Sequence, residues 1–319
     1  MKESNVLSSA KYVMDSATHV YINEEKLQEF FKDFSPPEHL DWMSDSFDLS
    51  VLSEAEHLLL PLVFNSVSFC YWGNPYWQVT YKDATYDRSS WSMVAAILRS
   101  KEEGKSLLNI QNLQNLTREE LAYILRGNTE IPLLDERLQV LNTIGSVIAE
   151  KYNGDFKNMI LEANGNALLL TESTISNFAP WFNDSYSYKG RVIYFNKRAQ
   201  ALVESISAMF PDSPIGQFHN IDKLSALADY IIPNILRGAG IIEYSEVLAK
   251  VIDSETEIEK GSEYEIEIRA SVVFVIEKAR SYLKTSYDMD VRASVINDYL
   301  WVYGTQSDKP FHRTRTFAY

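Results

Sequence analysis

The chain has 319 residues, enough for one large domain or two small ones, and its 45% hydrophobic and 13% aromatic content is ample for a sizeable core. A formal charge of -14 argues against a surface that neutralises many phosphates, so a long nucleic acid is a poor fit, whereas a single phosphate needs only a local basic spot. The single cysteine excludes an intramolecular disulfide and a cysteine-based zinc site, and no apolar run is long enough to span a membrane.

The N-terminal segment is polar and lacks the apolar core of a signal peptide, so a cytoplasmic protein is expected. Cys70 sits inside Val67-Ser68-Phe69-Cys70-Tyr71-Trp72 and reads as a buried, inert thiol. Trp77-Gln78-Val79-Thr80-Tyr81 and Ala84-Thr85-Tyr86 flank Lys82-Asp83, the pattern of a short hairpin. Thr117-Arg118-Glu119-Glu120 is a capping box ahead of Leu121, Ile124 and Leu125. Leu134, Leu138, Leu141, Ile144 and Ile148 mark one face of a long helix.

Tyr188-Lys189-Gly190-Arg191 predicts a turn into the β-branched and aromatic strand Arg191-Val192-Ile193-Tyr194-Phe195. Asn196 is then positioned to cap a helix starting at Lys197. Leu224, Leu227, Ala228 and Ile231 recur at helical spacing and predict a helix that kinks or ends near Pro233. Ser245 can cap a helix through Val247, Leu248 and Val251. The acidic stretch from Glu255 to Glu267 reads as a solvated surface before a helix carrying Ile268, Val272, Val275 and Ile276. Glycine and proline are scarce, and there is no linker or repeat. The expected architecture is one compact, mainly α domain over residues 1–319 with a small β-sheet or hairpins.

Two positions carry candidate chemistry. Lys197 and Arg198 would stand in a first helical turn, where the dipole favours anions; such cations can be aimed at an anionic ligand, or can simply form a solvated basic turn. Asp229 lies among apolar residues near a helix break, as a capping group or a pocket group. Buried there, it needs a partner or a ligand. His19, His39, His57, His219 and His312 show no metal-binding spacing, so no metal or other cofactor is expected.

Several segments resemble those of one family in order and spacing over nearly the whole chain: Val20-Tyr21-Ile22-Asn23, Phe69-Cys70-Tyr71-Trp72, Ile131-Pro132-Leu133-Leu134-Asp135-Glu136-Arg137, the run from Lys197, Ala228-Asp229-Tyr230, Glu267-Ile268-Arg269, Asp298 to Trp301, and Phe311-His312-Arg313. The family is the queuosine salvage proteins, which act as queuosine 5′-phosphate N-glycosylases. The resemblance implies a helical fold related to helix–hairpin–helix DNA glycosylases. It also implies hydrolysis of a nucleotide to free queuine and ribose 5-phosphate for reuse in tRNA modification. Cleavage of a nucleoside bond gives the sugar oxocarbenium character, which a carboxylate stabilises or attacks.

The resemblance assigns that carboxylate to Asp229, as nucleophile or electrostatic stabiliser, and an essential lysine to Lys197. Lys197 would hold the substrate phosphate or orient Asp229; a structural salt bridge to Asp229 is the plain alternative. Queuine bears an amine-linked cyclopentenediol, so its recognition calls for carboxylates and a stacking surface. The resemblance points to Tyr230, Asn297, Asp298, Trp301 and Tyr303 as substrate contacts.

The chain departs from the family pattern in places. Asn297 stands at a family aspartate, unless a deletion brings Asp298 there, and Val302 stands at a second. Ile231 follows the Asp-Tyr pair where an arginine is usual. Ser46 or Phe47 occupies the place of a base-contacting histidine, where Phe47 would offer stacking instead. The expected partners are the nucleotide and its queuine product, with no polymeric nucleic acid and no membrane, for a monomer. A binding protein that has lost turnover is the competing class. A DNA base glycosylase follows from fold analogy alone and is disfavoured by the acidic charge.

Overall fold

The computed structural model describes residues 5–37, 41–87, 89–303 and 308–319, with Tyr303 described by its backbone alone. Helix α1 (Asn5–Asp15), strand β1 (Val20–Ile22), α2 (Glu24–Phe31) and the short α3 (Trp42–Ser46) come first. The capping box of Ser53 and Glu56 starts α4 (Glu54–Val67). A hairpin, β2 (Val79–Tyr81) and β3 (Ala84–Tyr86), leads to α5 (Ser89–Glu102), α6 (Ile110–Gln114) and α7 (Arg118–Ile124). The long α8 (Leu134–Lys151), α9 (Phe156–Glu162) and α10 (Ala167–Asn177) follow.

A second hairpin, β4 (Ser185–Tyr188) and β5 (Arg191–Tyr194), enters α11 (Lys197–Met209). Then come α12 (Ile231–Gly238), β6 (Ile242–Tyr244), α13 (Glu246–Asp253), α14 (Glu263–Tyr287) and α15 (Ala293–Tyr303). The mainly helical architecture agrees with the sequence expectation. Kinship to helix–hairpin–helix glycosylases rests on the resemblance alone.

The apolar residues gather in two clusters. One joins α4, α5, α8 and α11 around Val63, Ile97, Leu141 and Leu202, all fully buried. The other joins α1, α12, α14 and α15 around Val13, Ile232, Ile268 and Ile296, also fully buried. Among the described residues each strand pairs with one neighbour. β2–β3 and β4–β5 are hairpins, the latter turning through Lys189 (φ 44°) and Gly190 (φ 81°) as a two-residue turn with positive φ at both centres. β1 instead pairs antiparallel with the distant β6, Val20 opposite Tyr244.

The capping roles of Thr117 and Ser245, the helix from Leu134 and the burial of Cys70 are as the sequence indicates. Three expectations need correction. The segment 224–230 is extended rather than helical, because its amides find side-chain acceptors: Ser225 donates to Gln200 Oε1 at 2.7 Å and Leu227 to Asn297 Oδ1 at 3.0 Å. Pro233 neither ends nor kinks a helix; it sits in the first turn of α12, where a missing N–H costs nothing. Glu265 and Glu267 are not solvated, both being fully buried on α14. Glu267 accepts the amides of Thr18, His19 and Val20 and the hydroxyl of Tyr188, so it stitches β1 to the helix.

Candidate active site

Asp229 stands at the last step of the extended segment, against the start of α12. Its Oδ1 accepts the amides of Ile231 (2.8 Å) and Ile232 (3.0 Å), the geometry of a helix N-cap. Its Oδ2 accepts from no protein donor among the described residues. Burial pushes the carboxyl pKa up, and the opposing influences are the Lys197 ammonium and the α12 amides. Asp229 is therefore both of the things the sequence left open, a capping group and a pocket group.

Lys197 opens α11 as expected, but Asn196 does not cap it. Asn196 is left-handed (φ 52°, ψ 34°) and makes no side-chain cap bond. The anion at this helix start is Asp184, whose Oδ2 accepts the Lys197 amide at 3.1 Å. That amide is taken by the protein, so the side chain alone remains for a ligand. Burial lowers the Lys197 pKa, while the Asp229 carboxylate pulls it the other way. No ion pair within 4.0 Å forms between them. The neighbouring Arg198 turns into the core, where it donates to the carbonyls of Asn65, Ser66 and Trp181.

One buried ion pair joins these two elements. Asp184 takes a bidentate pair from Arg269 of α14, at 2.8 and 2.7 Å. Arg269 Nε then donates to the carbonyl of Ala228 at 3.2 Å. The same carboxylate that starts the Lys197 helix thus anchors, through one guanidinium, the residue before Asp229.

Asp229 and Lys197 face a cavity of about 530 Å³, within the range of roughly 300–1,000 Å³ usual for small-molecule sites. α11 supplies one wall through Lys197, Ala201, Glu204, Ser205 and Ala208, a single helical face. Trp42, Trp91 and Trp301 form an aromatic wall; Trp91 and Trp301 stack at 4.9 Å and 18°, with Trp42 at 4.5 Å from Trp91. Tyr230 lies against Phe311 at 4.8 Å, and both line the cavity. Glu204 and Asp298 are pushed up to about 7, both by burial first; Arg292 opposes this at Glu204, while Glu204 adds to it at Asp298.

Of the residues the sequence singled out, Lys197, Asp229, Tyr230, Asn297, Asp298 and Trp301 line this one cavity. Asn297 spends its Oδ1 on Leu227, so it holds the segment before Asp229 in place. Phe47 does not line the cavity; it is buried and stacks on Tyr86 at 5.2 Å. Its neighbour Ser46 accepts the indole N–H of Trp91 at 2.9 Å, so this stretch serves the aromatic wall rather than the ligand. The Tyr303 side chain lies outside the described residues. Sequence reasoning missed Trp42, Trp91 and Glu204. The spacing of Lys197 and Glu204 on one helix face was the available signal for Glu204. Among the described residues no group of three or more His, Cys, Asp and Glu is arranged to hold a metal ion, and no helix is long and apolar enough to cross a membrane.

A family profile described as "Queuosine salvage protein" matches residues 53–319. Proteins similar to this chain include one from Sphaerobacter thermophilus, 34% identical over 98% of this chain and 97% of that protein. Others are from Dictyostelium discoideum (30% identical, covering 98% of each) and Nematostella vectensis (31%, covering 81% of this chain and 80% of that one). All of these relatives are named queuosine 5′-phosphate N-glycosylase/hydrolase.

Proposed function

This chain belongs to the queuosine salvage protein family, and from that premise we propose that it hydrolyses the N-glycosidic bond of queuosine 5′-phosphate, with Asp229 and Lys197 at the reacting end of the cavity. The bond from the anomeric carbon to the base nitrogen breaks, a water oxygen joins that carbon, and the base leaves with a proton. The products are queuine and ribose 5-phosphate. As the base departs, positive charge develops on the sugar, and Asp229 Oδ2 meets it. Its partner oxygen is held by two amides of α12, so the carboxylate needs no reorganisation as charge develops.

The observation that carries this reading is a half-satisfied, buried carboxylate and a half-buried lysine that makes no ion pair among the described residues, both lining one cavity. Lys197 contacts the 5′-phosphate, and the tryptophan wall stacks on the base. Because the cavity draws on residues packed into both hydrophobic clusters, the 319 residues act as one domain. The protein works as a monomer in the cytoplasm, on a mononucleotide rather than on tRNA.

The test is release of queuine by the pure protein from queuosine 5′-phosphate and from the nucleoside. A charge-assisted contact to phosphate is about twice as strong as a neutral hydrogen bond. The phosphorylated substrate should therefore have much the higher kcat/KM. Equal values for the two would remove Lys197 from the phosphate, and no release from either would remove the proposed reaction.

A further inference from the structure

We infer that Glu204 is the residue by which the cavity selects a base carrying an ammonium group, with Asp298 as its neighbour in the same contact; this rests on the function proposed above. Glu204 is 9% exposed and lines the cavity from α11. Its Oε1 is buried and accepts no hydrogen bond among the described residues. Its Oε2 has only Arg292, at 3.7 Å, beyond hydrogen-bond length. A buried carboxylate oxygen without a donor is costly, so an arrangement of this kind calls for a donor from the ligand.

Among the described residues no protein donor reaches Oε1 within hydrogen-bond distance. Asn65, on α4, donates to the carbonyl of Pro61 and to Ser205 Oγ. Ser294, at the start of α15, is near enough for its hydroxyl to favour the Glu204 carboxylate, yet neither its Oγ nor Glu204 Oε1 completes a hydrogen bond. Asp298, on the same helix, adds a second acid to this part of the lining rather than a counter-charge. Lys197 is on the same face of α11 but seven residues earlier, about 10 Å along the axis at 1.5 Å per residue. The helix therefore separates two tasks along one wall, with its cation at the Asp229 end and its acid further on. A buried carboxylate oxygen without a donor, with a second carboxylate close by, suits a cation with N–H groups, and the amine of queuine is such a group.

The experiment compares ligands with and without the amine-bearing substituent of the base. Kinetic constants are measured for queuosine 5′-phosphate and for 7-deazaguanosine 5′-phosphate, which lacks the amine-bearing substituent, with the wild type, Glu204→Gln and Glu204→Asp. Binding of queuine and of 7-deazaguanine is measured on the same proteins by calorimetry. Glu204→Gln should raise KM for queuosine 5′-phosphate and Kd for queuine by about tenfold to a hundredfold, the worth of one charge-assisted contact. It should leave kcat and both amine-free ligands nearly unmoved, and Glu204→Asp should recover part of the loss. Absence of turnover in the wild type would count against the proposed reaction, yet the calorimetry would still read the Glu204 contact. Equal weakening of both bases, or no weakening of queuine in a folded Glu204→Gln protein, would overturn the inference.

Discussion

Asp229 and Lys197 are each perturbed by burial in the direction that disfavours their charges, and each is the other's main electrostatic support. Activity that needs the carboxylate ionised is lost as pH falls through a pKa raised above the ordinary 3.8. Activity that needs the ammonium is lost as pH rises through a pKa lowered below the ordinary 10.5. The expected pH profile of kcat/KM is a bell narrowed from both sides. Lys197→Gln should abolish the alkaline limb in whatever rate remains, and an alkaline limb unchanged in that variant would free Lys197 of the role. Both residues could be picked out from the sequence through the family segments around them. Trp42 and Trp91 could not, because an aromatic residue on an apolar helix reads as core, and only the meeting of α3, α5 and α15 turns these two towards a ligand.

At the scale of elements, the site depends on Asp184 and Arg269, neither of which lines the cavity. Asp184 starts α11, Arg269 holds the backbone before Asp229, and the two side chains bind each other while fully or nearly fully buried. Removing one partner of such a pair leaves an uncompensated charge, so Asp184→Asn should lower stability by about 3–5 kcal/mol. Arg269→Lys keeps the charge but loses the fork that reaches both Asp184 and Ala228. It should lower kcat more than it raises KM, because Asp229 is displaced from the reacting carbon while the base wall stays intact. A variant with unchanged kcat would show that the Ala228 contact does not position Asp229.

The same scale explains which elements were readable. The β2–β3 hairpin was, since its two strands flank a two-residue turn, and so were the Lys189-Gly190 turn and strand β5, though the sequence did not mark β4 as its partner. β1 pairs with β6 across most of the chain, and nothing local announces it. The segment 224–230 has helical spacing, yet its amides go to Gln200 and Asn297, contacts only the tertiary fold supplies. Glu265 and Glu267 read as solvated for the same reason: the Thr18, His19 and Val20 amides that bury Glu267 lie far off in sequence.

For the whole molecule, two hydrophobic clusters meet along a cavity that neither builds alone. One contributes Phe64, Phe69 and Tyr71, and Ile231 and Trp301 of the lining pack against the other. The acidic balance of the chain, -14 overall, extends into the cavity as Asp229, Glu204 and Asp298, consistent with a ligand that brings a cation as well as a phosphate. The central claim is that Asp229 carries the chemistry while the rest of the cavity carries binding. It is tested most directly by single-turnover release of queuine from queuosine 5′-phosphate by wild type and Asp229→Asn, with binding of queuine to both followed by calorimetry. The amide keeps the cap to α12 but cannot stabilise positive charge on the sugar. The account predicts retained queuine binding and a rate lower by about a hundredfold or more. Near wild-type release by a folded Asp229→Asn protein would contradict it.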